Sequence, residues 1–219
     1  MNEISASERA LITTVTPKAW WWVLARGVVS AAVGVIITLS LNHTDQFTAV
    51  LFAIWAVGVG ISLVGFAAAG LTETMSRFYV GVLAGVTVLA GVLSTFWQGM
   101  TDDQPISTLI AVWAIVAGLI ELFLGLRLSA GSDMRADHII AGALTVLFAV
   151  AEFFGGAGTT WAAGLLGFYA ALVGVQLILA GVGLRSVGRR AAADGSAKIH
   201  QSGVYRADGE ESETEQRNA

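Results

Sequence analysis

Apolar residues form long, nearly unbroken stretches along most of the chain, and short polar segments separate these stretches. A membrane core of about 30 Å is crossed by roughly 20 apolar residues in a helix that rises about 1.5 Å per residue. Stretches of this kind occur at 20–41, 47–70, 78–97, 106–128, 138–155 and 160–184. The pattern therefore predicts an all-α integral membrane protein, a bundle of six transmembrane helices.

The lysines and arginines at the ends of the apolar stretches and between them indicate the orientation. They lie before the first helix, in every second loop and after the last helix: Arg9, Lys18, Arg77, Arg127, Arg135, Arg185, Arg189, Arg190, Lys198, Arg206 and Arg217. The loops that follow the first, third and fifth helices contain none. Because short loops rich in lysine and arginine stay in the cytoplasm, we expect a multi-pass protein of the inner or plasma membrane with both termini in the cytoplasm.

The chain divides by composition into three parts. Residues 1–19 are expected to be a cytoplasmic N-terminal segment, and residues 20–186 to be the six-helix transmembrane domain. The remaining part, 187–219, is rich in Gly, Ser, Asp and Glu. Such a composition cannot bury a core, so we expect a disordered cytoplasmic tail.

The overall composition and the absence of known motifs limit the chemistry. Only 13% of the residues are charged, against about 25% in soluble domains, and the chain contains no cysteine. No basic stripe suggests nucleic acid, and we find no phosphate-binding glycine loop, zinc motif or nucleophile elbow. We therefore expect a non-enzymatic protein without catalytic residues, metal or cofactor. Its expected partners are the lipid bilayer and a protein partner or a second copy of the chain, but no nucleic acid.

An internal repeat organises the six helices. In the odd-numbered helices, Gly27, Gly85 and Gly142 follow one another at spacings of 58 and 57 residues. In the even-numbered helices an aromatic residue stands five residues before a glycine, which a small residue follows seven later: Trp55/Gly60/Ala67, Trp113/Gly118/Gly125 and Tyr169/Gly174/Gly181. We expect three hairpins, 20–70, 78–128 and 138–184. Because each begins and ends on the same side, they have parallel topology, which predicts rough pseudo-threefold symmetry about the membrane normal.

Glycines are the expected packing positions between the helices. In lipid, helices associate through close backbone approach, which small residues permit. Gly81 and Gly85 form a G-x-x-x-G pair in the third helix. The full set of expected packing positions is Gly27, Gly34, Gly60, Gly81, Gly85, Gly118, Gly125, Gly142, Gly174 and Gly181. Packing within the chain is the favoured interpretation, and homo-oligomer contacts or the lining of a path are the alternatives.

Three ionisable residues lie clearly within the spans, namely Arg26, Glu121 and Glu152. A charge at the bilayer centre costs at least about 2.5 kcal/mol, so each needs a reason. By the helix rise, Arg26 and Glu121 both lie about 9–10 Å inside the cytoplasmic boundary, and their signs are opposite. We expect a buried ion pair that ties the first hairpin to the second; a proton-responsive or substrate-contacting pair and a snorkelling arginine remain alternatives. Glu152 is expected to meet water near the outer surface.

Two segments carry a family resemblance. The segment from Trp22 through Arg26-Gly27 to Gly34, and the later Trp113-x4-Gly118-Leu119-Ile120-Glu121, resemble the HdeD-like family of acid-stress membrane proteins. The resemblance covers residues 20–186 and implies a short two-helix repeat, here present three times, without an assigned reaction.

The chain departs from the family pattern in two places. Members often have a proline in the loop after the first helix, whereas residues 41–45 contain none. The Arg-Gly pair also occurs once only, since Gly85 and Gly142 each follow alanine. The resemblance implies a small stress-associated or envelope-associated protein that acts by interaction. The alternative is a small transporter or channel with a proton-responsive Arg26/Glu121 pair.

Overall fold

A computed structural model describes residues 19–41, 43–71, 73–100, 105–128, 133–155, 160–186 and 189. These residues form six long helices: α1 Trp20–Leu39, α2 Asp45–Gly70, α3 Thr74–Met100, α4 Ile106–Arg127, α5 Asp133–Phe154 and α6 Thr160–Ser186. Each helix is long and apolar enough to cross a membrane. The predicted fold class, an all-α bundle of six membrane-spanning helices, is confirmed.

Three helices begin earlier than the hydropathy pattern predicted. Helix α2 begins at Asp45, where the Thr44 hydroxyl oxygen accepts a hydrogen bond from the Phe47 N–H at 3.2 Å. Helices α3 and α5 begin at Thr74 and Asp133, four and five residues before the predicted starts. The reason is that hydropathy reports the part of a helix that lies in lipid, whereas backbone hydrogen bonding continues into the polar surface layer.

The helices form a closed ring in chain order. Chain neighbours pack on one another, and α6 packs back on α1: a Cβ added at Gly27 would lie 2.7 Å from the Ile178 nitrogen, and one at Gly34 2.7 Å from the Ala171 nitrogen. The partner number falls as the glycine number rises, so α1 and α6 are antiparallel. We refer to the end of the ring where α1, α3 and α5 begin as the terminal end, and to the end where they finish as the distal end.

Among α1 to α5, the more extensive interfaces join successive hairpins. Helix α2 packs more extensively on α3 than on α1, and α4 more on α5 than on α3. Each of these interfaces, and that of α6 with α1, is built around one repeat glycine of the even helix. The glycine-to-partner pairs are Gly60 with Val88, Gly118 with Val146, and Gly174 with Ala31. Because the partners Ala31, Val88 and Val146 are themselves 57 and 58 residues apart, the three interfaces are equivalent under the repeat.

Eight of the ten glycines predicted to pack do so, and two do not. A Cβ at Gly27, Gly34, Gly60, Gly118, Gly125, Gly142, Gly174 or Gly181 would approach a neighbouring helix within 3.0 Å. A Cβ at Gly81 or Gly85 would meet nothing within 4 Å, so the favoured interpretation, packing of this G-x-x-x-G pair within the chain, is wrong. The physical reason is the face of α3 on which they lie: both glycines are exposed on the outside of the bundle, whereas the neighbouring Ala84 is buried.

The outside of the ring is apolar. Large hydrophobic side chains with half or more of their surface exposed occur on every helix, for example Ile36, Ile61, Leu89, Leu119, Leu147 and Leu179. Exposed side chains of this kind over six spanning helices imply contact with the lipid bilayer. Residues 183–219 form a unit of their own, of which the structure describes 183–186 and 189. The predicted N-terminal segment therefore lies outside the described residues apart from Ala19, and the predicted disordered tail does so apart from Arg189.

Candidate functional site

An aromatic layer fills the centre of the ring at mid-depth. Trp55, Trp113 and Tyr169, one from each even helix, are all buried. Their ring centroids lie 5.1 Å apart for Trp55 and Trp113, 6.2 Å for Trp55 and Tyr169, and 6.4 Å for Trp113 and Tyr169. All three pairs meet edge to face, an arrangement that the quadrupoles of the rings favour. The repeat aromatics that the sequence singled out therefore meet at the bundle axis, where they form the aromatic layer.

Each ring of the aromatic layer is anchored by a hydroxyl group from the odd helix of its own hairpin. The anchoring contacts are Trp55 Nε1 to Ser30 Oγ at 3.0 Å, Trp113 Nε1 to Thr87 Oγ1 at 3.3 Å, and Tyr169 Oη with Thr145 Oγ1 at 2.8 Å. These hydroxyl residues also follow the 57–58-residue spacing. Sequence reasoning missed them, although the repeat carried the signal, because isolated Ser and Thr residues are common in membrane helices.

Arg26 and Glu121 form an ion pair between α1 and α4. The Arg26 Nη2 donates to Glu121 Oε1 at 2.8 Å, and the Glu121 residue is only 2% exposed. Matching depth and opposite sign led to this pairing in the sequence, and the structure brings the two side chains together. A charge-assisted hydrogen bond of this length is among the stronger interactions available to a buried carboxylate.

The ion pair breaks the threefold repeat. Glu121 stands eight residues after Trp113, and the residues eight after Trp55 and Tyr169 are Leu63 and Leu177, both buried. Two of the three copies therefore place leucine at this level of the core, and the third places a carboxylate. Because a carboxylate here needs a partner, Arg26 supplies a charge that no purely packing role requires.

A cavity of about 30 Å³ adjoins the ion pair in the terminal half of the bundle. Its lining includes Arg26, Glu121, Asp137 and His138 together with apolar side chains. The Arg26 Nε is buried and has no hydrogen-bond partner among the described residues. By volume the cavity has room for about two water molecules, which need about 10–15 Å³ each by this measure. The terminal half thus combines charged groups, an unsatisfied donor and a small space.

His138 belongs to this cavity and not to an exposed helix start. His138 is the first residue of the predicted span 138–155, yet it is only 7% exposed. Because α5 begins at Asp133, His138 lies in the second turn of the helix and not at its start. A further polar link lies beside it, where Gln176 Nε2 donates to the Asp137 carbonyl oxygen at 3.0 Å. Among the described residues no group of three or more His, Asp or Glu is placed to hold a metal ion.

Glu152 lies in the distal half and is not solvated. The residue is only 2% exposed, so the prediction that it meets water at the outer surface is wrong. Both carboxyl oxygens are buried without a hydrogen-bond partner among the described residues. Its repeat equivalents Ile37 and Ser94 are buried as well, so the fold turns this position inward in all three copies. Depth along the helix does not reveal which face of the helix a residue occupies. The spacing of the repeat does, because it aligns Glu152 with Ile37 and Ser94.

Comparison with protein-family models, with curated proteins and with solved structures finds no match to this chain. The bundle has a charged group of side chains in one half, a carboxyl group without a partner among the described residues in the other, and the aromatic layer between them.

Proposed function

We propose that this chain is a small polytopic membrane protein of a stress or envelope response, which acts by interaction and not by catalysis or transport. The observation that supports this proposal best is the aromatic layer. Trp55, Trp113 and Tyr169 occupy the axis in mutual contact, so the polar groups of the terminal half and those of the distal half lie on opposite sides of it. A conduit needs membrane-embedded polar groups or broken helices along its path, and the axis at this level offers packed rings.

Flux measurements test the absence of transport. The purified chain in proteoliposomes, loaded with a pH-sensitive dye, should show proton and solute leakage equal to that of protein-free liposomes. The matched control is Trp113→Ala, which removes one ring of the aromatic layer. Flux above the protein-free rate that depends on the intact chain, and that Glu121→Gln abolishes, overturns the proposal.

The stress role is proposed on the resemblance to HdeD-like proteins and is tested in cells. A strain that lacks the chain should survive acid exposure less well than its parent, and expression of the wild-type chain should restore survival. Equal survival of the two strains in acid and in other envelope stresses contradicts a stress role. Cross-linking in the complementing strain, followed by mass spectrometry, then identifies the protein partner or a second copy.

A transporter with a proton-responsive pair is the second candidate, and the cavity beside the ion pair favours it. Arg26 and Glu121 line a space of about 30 Å³ together with His138, so a second titratable side chain lies beside the same cavity as the pair. If the pair responds to protons, Glu121→Gln should change acid survival while membrane levels of the protein stay constant. Equal loss of protein level and survival supports a structural tie instead.

We also propose that the terminal end faces the cytoplasm, on the distribution of lysine and arginine. The chain contains no cysteine, so single cysteines report accessibility without background. In intact cells, an impermeant maleimide should label Leu41→Cys at the distal end and leave Glu73→Cys at the terminal end unlabelled. The reverse pattern contradicts the orientation.

A further inference from the structure

Glu152 carries an inference that the proposed function does not use. It lies in α5, two residues before the helix ends at Phe154, and is only 2% exposed. Neither Oε1 nor Oε2 has a hydrogen-bond partner among the described residues. It differs in this from Glu121, whose Oε1 accepts a hydrogen bond from Arg26 at 2.8 Å. The bundle therefore buries two carboxyl groups and provides a cationic partner for one of them.

Among the described residues, no lysine or arginine lies in the same half of the bundle as Glu152. In the distal halves of the five helices around α5, the described residues 31–39, 88–97, 106–113 and 160–168 contain no Asp, Glu, Lys, Arg or His. Helix α2 contributes Asp45, which has the same charge sign, and His43 precedes that helix. Arg26 and His138 lie in the terminal half, beyond the aromatic layer. An ionised Glu152 would thus have neither a salt bridge nor a hydrogen bond.

Burying an ionised carboxylate without compensation costs so much that such a group becomes neutral instead. A proton is also the one ligand that requires no additional space beside the side chain. Two residues of helix separate Glu152 from the last residue of α5, which is about 3 Å of rise. The distal surface is therefore close, whereas the aromatic layer separates Glu152 from the opposite side.

We propose that Glu152 is a proton-binding site in the distal half of the bundle. The carboxyl group is held as the neutral acid, and its proton exchanges with the aqueous phase at the distal end. The site does not depend on transport or on a partner protein, so a failed flux or pull-down experiment leaves it standing.

Infrared spectroscopy of the full-length chain in a maltoside detergent, which has no carbonyl group of its own, tests the protonation state. A neutral carboxylic acid has a carbonyl stretch that lies above the amide and carboxylate bands. At pH 7 this band should be present in the wild-type chain, absent in Glu152→Gln and retained in the matched control Glu121→Gln. Transfer into D₂O should shift it to lower frequency, because the O–H becomes O–D when the proton exchanges.

A second measurement uses the wild-type chain alone and so does not depend on a variant that folds. Dicyclohexylcarbodiimide partitions into lipid and adds to protonated carboxyl groups there, so mass spectrometry should locate its adduct on Glu152. A carbonyl band that persists in Glu152→Gln, or one absent from the wild type together with an unlabelled Glu152, overturns the proposal. An adduct on Glu121 alone also overturns the proposal. A carbonyl band that never shifts in D₂O contradicts the part of the proposal that the proton exchanges with the aqueous phase.

Discussion

The two halves of the bundle treat a buried carboxyl group in opposite ways. In the terminal half, Glu121 is paired with Arg26 and adjoins a cavity lined by further polar groups. In the distal half, Glu152 is equally buried and has no partner among the described residues. The aromatic layer lies between them. The same backbone repeat therefore holds two electrostatic environments, because single residues differ between the three copies.

This difference separates two uses of an acid in a membrane. A carboxylate with an arginine partner stays charged and links two hairpins, at the expense of desolvating both groups. A carboxyl group without a partner avoids that expense only as the neutral acid. The packing differs between the three repeats as well. Gly85 is exposed on the outside of α3 and a Cβ there would meet nothing within 4 Å, whereas the equivalent Gly27 and Gly142 are buried and contact α6 and α4 closely.

Breaking the ion pair on one side should have the largest effect on stability. Glu121→Leu leaves Arg26 buried without its partner, and loss of one member of a buried pair destabilises by about 3–5 kcal/mol. The double variant Arg26→Leu/Glu121→Leu should recover most of this loss, since leucine already occupies the equivalent positions 63 and 177. Unfolding titrations in mixed detergent measure both. A double variant as unstable as Glu121→Leu contradicts this account.

Opening the aromatic layer should come next. Trp113→Ala removes a ring that contacts Trp55 and Tyr169 and should destabilise by about 3 kcal/mol, the lower end for such core truncations, since lipid is as apolar as the core. The matched control is Trp21→Ala, because Trp21 is 58% exposed on the outside of the bundle. The same unfolding titration compares the two. Similar losses of stability in both variants would show that the aromatic layer does not stabilise the packing of α2, α4 and α6.

A pair of glycine substitutions tests the difference in packing. A Cβ at Gly142 would lie 2.6 Å from the Leu122 nitrogen, so Gly142→Ala must push α4 and α5 apart. The expected loss is about 1–3 kcal/mol, as for other overpacked sites. Gly85→Ala, at the equivalent position of the previous repeat, should stay within about 0.5 kcal/mol of wild type. Thermal unfolding of the purified variants measures this, and equal losses at both positions would remove the distinction.

Replacing the unpaired acid should have the smallest effect. Glu152→Gln exchanges a neutral acid for a neutral amide of nearly the same shape, so stability should change by less than about 0.5 kcal/mol. Glu121→Gln removes a charge that Arg26 needs and should lose clearly more in the same titration. If Glu152→Gln loses as much as Glu121→Gln, then Glu152 is ionised and has a partner.

Much of the architecture of the bundle can be predicted from the sequence. The six spans, the repeat and the Arg26/Glu121 pairing follow from apolar length, from residue spacing and from matched depth. The wrong predictions for Gly85 and Glu152 share one cause. A motif or a depth along one helix does not reveal which face of the helix a residue occupies, and that face decides its environment. Gly81 and Gly85 lie on the exposed face of α3, where an added Cβ would meet no atom within 4 Å.

Hydropathy and residue spacing are local properties, so the sequence is sufficient to predict six membrane spans and three copies of one hairpin. The tertiary structure is needed to show that the repeat aromatics meet at the axis, and that Glu152 points inward without a partner among the described residues. These are relations between helices far apart in sequence. They depend on close packing, which responds to small differences in side-chain volume, and the hydrophobic pattern does not report such differences.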